Sequence, residues 1–286
     1  MKPGTGPLLR VAGVVPGLWL AGFFLLPLAF VWILSFGEKQ GLVAVDIVWT
    51  ADNYLRALDP LYLGILAKSL WIAALTTVIC LATGLPVALG IVFAPPRWRP
   101  LLLLLVILPF WTNLLIRTYA LIAVLRTRGH VNATLGWASE LFGLPFEPLS
   151  LLYTNTAVVA GLVYVHLPFM VLPLYATLHR LDRSLVEAAA DLGAGHLRVC
   201  ITIILPLAVP GIVSGSLLVF VPALGSYLTP DLLGGPDSQM IANVIERQFK
   251  SANDWPFGSA LSFLLMYVTF GALALRSLSV RRPAAR

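Results

Sequence analysis

The sequence predicts an all-α, polytopic membrane protein with six transmembrane helices and both termini in the cytoplasm. Its 286 residues are 59% hydrophobic and only 11% charged, whereas about a quarter of the residues in soluble chains are charged. Six apolar stretches are long enough to cross a bilayer, and the positive charges lie mainly on one side of them. These properties exclude a soluble enzyme and a disordered chain.

The six stretches are predicted from length, because a bilayer core about 30 Å thick needs about 20 apolar residues in a helix. None of them contains an Asp or a Glu. The stretches are Gly13–Phe36, Gly64–Ala94, Leu101–Leu125, Thr154–Leu178, Pro206–Leu228 and Phe257–Leu275. We interpret the first as a retained span, because the apolar run around it, 26 residues from Val11 to Phe36, is too long for a signal peptide, whose apolar region has about 7–15.

The distribution of Lys and Arg predicts the orientation. With the N-terminus inside, the cytoplasmic segments hold 11 of these residues and the opposite side holds 7, while Arg117 lies within the third stretch. Acidic residues favour the opposite side, so the two faces carry net charges of +8 and −3. This asymmetry explains the overall charge of +6 without a nucleic-acid partner.

Two local patterns concern helix geometry within the spans. Prolines such as Pro109 predict kinks, which a bundle tolerates because neighbouring helices and waters satisfy the freed backbone groups. Gly211 and Gly215 are spaced for close helix approach, although pairs of small residues are common in membrane helices.

The patterns needed for catalysis or for a cofactor are missing from the sequence. Cys80 lies in an apolar run and Cys200 in a charged one, which predicts neither a disulfide nor a metal cluster. The segment Gly193-Ala194-Gly195-His196 lacks the Lys and Ser or Thr that follow in a nucleotide-binding loop. We therefore expect no catalytic residue, no metal and no cofactor in this chain.

The longest predicted cytoplasmic connection, His179–Leu205, differs from the others. Ser184 and Glu187 have the spacing of a capping box, which predicts a helix from Ser184 to Ala190. Gly193 can adopt the left-handed conformation that ends a helix. A second short amphipathic segment, His196–Ile204, leads back to the membrane. The loop is thus predicted to be a helix, a glycine turn and another helix, lying parallel to the membrane surface.

This loop resembles the EAA signature of the type I ABC importer permease (MetI-like) family. The matching positions are Glu187, Ala188, Ala189, Gly193, Ile203, Leu205 and Pro206. The loop also precedes the fifth of six spans, as in that family. The resemblance implies that these residues couple the chain to a separate ATPase, with Glu187 as an ionic contact, the two alanines permitting close docking, and Gly193 permitting the turn. We call residues 179–205 the coupling loop.

Four further strings resemble the spermidine/putrescine permeases of this family. They are Leu108–Ala120, Gly161–Leu178, Asp231–Gly235 and Asp254–Gly258. The resemblance implies an inner-membrane location, a second homologous permease subunit, two copies of an ATPase subunit, and a periplasmic or lipid-anchored binding protein. It also implies a permease domain over residues 64–278, preceded by a first helix and loop in residues 1–63 and followed by a basic tail in residues 279–286.

A path for polyamines, which are long multivalent cations, should offer aromatic faces and outer carboxylates. Cation–π contacts contribute about 0.5–2 kcal/mol each. Trp111, Tyr227 and Asp231 are the chief candidates for the substrate path. Tyr119 and Tyr164 are also aromatic residues of the spans, but plain packing or a place in an interfacial aromatic belt is favoured for both. Glu246 and Asp254 are expected to add to the negative outer face, which concentrates cations.

Two ionisable residues lie within the spans. A charge there is expensive and usually functional, yet Arg117 would repel a cationic substrate. We expect Arg117 to face a subunit or helix contact and to bond carbonyls or a partner's acid. His166 is expected to be hydrogen-bonded to a neighbouring span.

Two other functions stay open at this point. The same family also includes permeases for oxyanions, iron complexes and phosphonates. An ion-coupled secondary transporter is a different class, but such proteins generally need intramembrane acids, which the six spans lack.

Overall fold

The computed structural model describes residue 14, residues 16–41 and residues 44–280. The start of the first predicted span at Gly13 and most of the predicted basic tail lie outside the described residues. The chain divides into two compact units. The first comprises the segments up to Gly64 and from Val244 onward, and the second comprises Ile65–Asn243.

The first unit contains two long helices and a short hairpin. Helix α1 spans Pro16–Leu34 and includes a π-helical turn at Ala21–Leu25. Strands β1 (Gly37–Gln40) and β2 (Ala44–Ile47) pair antiparallel, and helix α2 (Asp52–Ala57) follows them. The hairpin is the one addition, within the described residues, to the helical fold that the sequence predicts, and it lies between apolar stretches.

The second unit is helical in the part that the structure describes. Its elements are α3 (Pro60–Phe93, which begins in the first unit), α4 (Arg99–Ile107), a 3₁₀ turn (Leu108–Trp111), α5 (Leu114–Leu125), α6 (His130–Leu141), α7 (Asn155–Leu178), α8 (Arg183–Asp191), α9 (His196–Leu224) and α10 (Leu228–Leu233). Helix α11 (Ile241–Lys250) runs on into the first unit, where α12 (Trp255–Val280) ends the described chain.

The core of the second unit lies between α3, α7 and α9. Its buried side chains include Ile91, Met170, Leu174, Ala208 and Val219. Helices α7 and α9 approach closely where α9 has glycine. A Cβ atom on Gly211 would lie 2.9 Å from the Pro173 carbonyl oxygen, and one on Gly215 would lie 2.8 Å from the Met170 sulfur. The glycine pair is therefore the contact surface of the two central helices, although its spacing is common in membrane helices.

Four described helices, α1, α3, α7 and α9, are long and apolar enough to cross a membrane. The third predicted span, Leu101–Leu125, is not a continuous helix, because Arg99–Trp111 and Leu114–Leu141 meet at a bend of 96°. Thr112 is extended there, and the Asn113 side chain accepts a hydrogen bond from the Leu115 N–H, which starts a new helix. Helix α12, Trp255–Val280, contains the sixth predicted span, Phe257–Leu275. The count of six spans therefore stays a prediction.

Candidate functional site

The first half of the coupling loop forms α8, as the sequence predicts, but its cap differs. The predicted capping box of Ser184 and Glu187 is replaced by Asp182, whose Oδ1 accepts a hydrogen bond from the Ser184 N–H at 3.0 Å. The backbone N–H of Ser184, and then its side chain, hold the pKa of the Asp182 carboxyl below its usual value. Because Asp182 precedes the first helical residue, it is the better-placed acceptor for the unpaired N–H groups.

Gly193 ends α8 as predicted. Its φ angle is +79°, in the left-handed region that non-glycine residues rarely adopt. The Ala194 N–H donates to the Ala189 carbonyl at 3.0 Å, and the Leu192 N–H donates to the Ala188 carbonyl at 3.1 Å. The first of these is the long bond of a Schellman motif, which turns the chain sharply after a helix.

The second half of the coupling loop differs from the prediction of a short separate segment. Helix α9 begins at His196 and continues unbroken for 29 residues to Leu224. Residues Cys200–Ile204 are π-helical, immediately before Leu205 and Pro206. A proline ring clashes with the carbonyl four residues earlier in an α-helix, and the wider π turn relieves that clash. The loop and the fifth predicted span therefore share one helix.

The coupling loop presents an apolar surface around Gly193. Leu192 and Leu197, on either side of Gly193, are 89% and 75% exposed, and Leu185 on α8 and Ile201 on α9 are exposed as well. We call these four side chains the loop surface. Exposed apolar side chains in one short segment are typical of a binding surface.

The predicted coupling residues divide between the exterior and the core. Glu187, Ala188 and Pro206 are exposed, whereas Leu205 is half-buried. Ala189 and Ile203 are half-buried as well and pack against the core of the second unit. The outward residues are therefore available to a partner, and the inward ones connect the loop to the helices behind it.

A cleft of about 640 Å³ lies behind the start of α8. It is formed by the end of α7, the connection to α8, the first turn of α8 and the part of α9 around Leu207 and Pro210. Its lining residues include Arg180, Asp182, Leu185, Leu207 and Pro210. The cleft leaves space on one side of α8.

The bend between α4 and α5 exposes the first substrate-path candidate. Trp111 is 76% exposed at the end of the 3₁₀ turn. Tyr119 on α5 and Tyr164 on α7 are exposed to a smaller extent. Neither ring is buried within this chain, and the reading of these two tyrosines as packing or interfacial residues stays a prediction.

Arg117 lies one turn after this bend and is buried. Its Nη2 donates to the Thr112 carbonyl at 2.9 Å, which agrees with the expectation that it bonds carbonyls. His166 on α7 is also buried, but the expectation for it is wrong. The Nδ1 atom lies 2.8 Å from the carbonyl oxygen of Leu162, which belongs to the same helix and not to a neighbouring span.

The other two candidates lie together at α10. The Asp231 N–H donates to the Tyr227 carbonyl at 3.0 Å. That carbonyl also accepts from Asn243 Nδ2 at 2.8 Å, while Asn243 Oδ1 accepts from the Met240 N–H at 3.1 Å. Asn243 thus fixes the place where α10 starts. This role of Asn243 could not be predicted from the sequence, because its partner is 16 residues away and no local pattern joins the two residues.

Glu246 and Asp254 contribute less negative charge than expected. Glu246 pairs with Lys250 at 2.8 Å, and Asp254 pairs with Arg56 at 2.8 Å. Asp254 also accepts a hydrogen bond from the Phe257 N–H at the start of α12. Because both acids have positive partners, their attraction for a distant cation is largely offset.

Residues 75–283 match the family model described as "Binding-protein-dependent transport system inner membrane component". The chain belongs to this family. It is therefore the membrane-embedded, non-catalytic permease subunit of an inner-membrane ABC importer that works with a substrate-binding protein.

Among the described residues, no group of three or more His, Cys, Asp or Glu side chains is arranged to hold a metal ion.

Known relatives and solved structures agree with this family. The chain is 46% identical over 250 residues to the spermidine/putrescine transport system permease protein PotB of Escherichia coli (strain K12), covering 87% of this chain and 90% of that protein. The PotB protein of Haemophilus influenzae is 41% identical over 261 residues, covering 89% of this chain and 90% of that protein.

The fold also matches a solved bacterial ABC transporter that is involved in the import of the acidic polysaccharide alginate. The TM-score is 0.75 at 18% identity, covering 97% of this chain and 96% of the other. The same type of transporter in complex with its alginate pentasaccharide-bound periplasmic protein gives a TM-score of 0.74 at 18% identity, covering 96% of this chain and 94% of the other.

Proposed function

We propose that this permease imports polyamines of the spermidine and putrescine class and forms half of the translocation path. A second homologous permease forms the other half, two copies of an ATPase subunit bind on the cytoplasmic side, and a binding protein delivers the cargo. The cargo assignment is supported by the relatives that are 41–46% identical over nearly the whole chain. The observation that carries the mechanism is the exposed loop surface at the start of the 29-residue helix α9.

Coupling follows from the chemistry of the loop surface. Burying a leucine side chain fully stabilises a contact by about 1.5–3 kcal/mol, so Leu192 and Leu197 favour an apolar groove on the ATPase. Glu187 is exposed on α8, a little more than one turn before Leu192. Its carboxylate would pair with a basic residue at the rim of that groove. Because Ala189 and Ile203 pack against the core, movement of the docked loop passes into the spans.

The cargo path follows from the exposed aromatic and acidic groups. Trp111 and Tyr227 expose ring faces, and each ring contributes about 0.5–2 kcal/mol to binding an ammonium group. Asp231 lies one turn after Tyr227 and is exposed as well. The rings and the carboxylate together would attract a cation, and the absence of acids from the six predicted spans avoids a deep trap for it.

The test replaces Gly193 by Val and uses Gly195→Val as its matched control. Gly193 needs a positive φ, which costs about 1–2 kcal/mol for a residue with a side chain, whereas Gly195 has a φ of −65° that valine accepts. A Cβ atom meets nothing within 4 Å at either position, so neither substitution causes a clash within the chain. The variants are expressed with the ATPase, the second permease and the binding protein.

Gly193→Val should lower both labelled spermidine uptake and the ATPase activity stimulated by loaded binding protein, while its membrane abundance stays normal. Gly195→Val should retain both activities. Normal uptake by Gly193→Val refutes the coupling role of the loop. Uptake of an oxyanion or a phosphonate in place of spermidine and putrescine refutes the assignment of polyamines as the cargo.

A further inference from the structure

Arg117 is a buried cation in an apolar part of the chain. Its side chain is 8% exposed on α5. A charge at this depth in a membrane helix is costly, and the expense is usually linked to a function. An aliphatic residue of similar length would pack without that expense, so the contacts of the guanidinium group should explain its presence.

The guanidinium holds the bend between α4 and α5 at two points. Its Nη2 donates to the Thr112 carbonyl at 2.9 Å, and its carbon lies 5.6 Å from the centre of the Phe110 ring. The Phe110 ring in turn packs edge-to-face on Phe169 of α7 at 4.8 Å. Thr112 adds a third contact, because its hydroxyl donates to the Pro109 carbonyl at 2.7 Å. The residues on both sides of Trp111 are thus fixed.

These contacts solve a problem that a broken helix creates in a membrane. The last carbonyls of a helix have no partner within it, and an unpaired carbonyl in the bilayer core costs several kcal/mol. A cation also interacts favourably with the carboxyl end of a helix. Arg117 provides both a donor and a positive charge, and its position on α5 lets it reach back across the bend.

We propose that Arg117 is a positioning residue that fixes the bend so that Trp111 is presented to the cargo. The inference rests on the proposed function, in which Trp111 contacts a polyamine. Arg117 itself does not touch the cargo, because it is buried and bonded to the backbone. Its charge is directed to the Thr112 carbonyl and the Phe110 ring, which explains how a cation can lie beside a path for cations.

The geometric test uses a nitroxide spin label at position 111, in a Trp111→Cys, Cys200→Ser background. The buried Cys80 stays in place. Arg117→Met should add a second, more mobile component to the spectrum, because it removes the bond to Thr112. Arg117→Lys should largely restore the original spectrum, since an ammonium group can donate to the same carbonyl. The control is Thr118→Val, which changes the neighbouring buried residue whose hydroxyl bonds only within α5.

Identical spectra for Arg117→Met and Thr118→Val overturn the proposal. Phe110→Leu offers a second test if Arg117→Met does not reach the membrane. It removes the ring beside the guanidinium and should also increase mobility at position 111, and an unchanged spectrum overturns the proposal in that case.

The transport test uses chains that retain Trp111. Arg117→Met should lower spermidine uptake about tenfold, because a hydrogen bond to a charged group is lost. Spermidine uptake by Arg117→Lys should stay within about threefold of that of the parent, and uptake by Thr118→Val should equal that of the parent. ATPase stimulation should persist in all three, since the coupling loop is intact. Unchanged uptake together with a changed spectrum overturns the role of Arg117 in transport, and it leaves the Gly193 test of the proposed function standing.

Discussion

Gly211→Ala tests the close approach of α7 and α9. The added Cβ atom would lie 2.7 Å from Thr177 Oγ1 and 2.9 Å from the Pro173 carbonyl oxygen. The hydroxyl can rotate away, but the carbonyl belongs to the backbone of α7. The two helices must therefore separate by about half an ångström to restore an ordinary contact, and overpacking of this kind costs about 1–3 kcal/mol.

A matched control separates this effect from helix propensity. Alanine is preferred to glycine inside a helix by about 0.5–1 kcal/mol, so both effects act at Gly211. Gly90 lies inside α3, and a Cβ atom there meets nothing within 4 Å. Gly90→Ala should therefore leave stability unchanged or raise it slightly.

The measurement is thermal unfolding of the purified complex in detergent, followed with a thiol-reactive dye. Gly211→Ala should lower Tm by several degrees relative to Gly90→Ala, since about 1 kcal/mol shifts Tm by about 2–4 °C in a chain of 150–250 residues. Adding Thr177→Ala should recover part of the loss, because it removes the nearer of the two contacts. A Tm for Gly211→Ala equal to that of Gly90→Ala would show that the helices do not approach as described.

Three further predictions concern polar groups. Ser69→Ala should lower Tm, because Ser69 Oγ accepts a hydrogen bond from the buried Ile241 N–H at 2.8 Å and leaving that group unpaired costs about 1–3 kcal/mol; a Tm equal to that of the parent contradicts this. Asp254→Asn should lower Tm less than Asp254→Ala, because the amide oxygen still accepts a hydrogen bond from the Phe257 N–H. It thus keeps a helix cap that contributes about 1 kcal/mol. Equal decreases in Tm would show that only the ion pair with Arg56 matters. The pKa of Asp182 is lowered from 3.8 in the folded loop. The stability that the ionised Asp182 cap gives to α8 is therefore fully present above pH 3.8 and is lost as the pH falls through the lowered pKa. Hydrogen exchange in α8, corrected for intrinsic rates, should therefore rise at low pH in the parent but not in Asp182→Asn, and the same rise in both would exclude the cap as its cause.

Hydropathy predicts an element well where an apolar run ends at a clear cap. The fourth predicted span, Thr154–Leu178, is helix α7 almost to the residue, because the Thr154 side chain caps it by accepting from the Ala157 N–H at 3.2 Å. Gly193 was predictable for a similar reason, since few other residues adopt its φ angle without strain. In both cases a single local interaction sets the boundary.

Hydropathy does not reveal the break in the third span. Leu108, Phe110 and Trp111 are as apolar as the helices on either side, so a window of about 20 residues averages over them. The break depends on the Asn113 cap and on the bond from Arg117 to Thr112. The latter is a tertiary arrangement that depends on how α5 folds back, which no sequence pattern records.

The packing role of the glycine pair in α9 could not be predicted from the sequence either. Gly211 and Gly215 are spaced like many pairs in membrane helices, and their role depends on Met170, Pro173 and Thr177 in another helix. Likewise, Ser69 and Ile241 are 172 residues apart. Interactions of this range follow from packing and are seen only in the folded chain.

The continuity of α9 has a geometric consequence for the coupling that we propose. A helix of 29 residues is about 43 Å long at 1.5 Å per residue. If a straight helix of this length swings by about 5° around its end at His196, its other end at Leu224 travels about 4 Å. Under the proposed coupling role, a small displacement of the loop by the ATPase would thus be magnified along the helix.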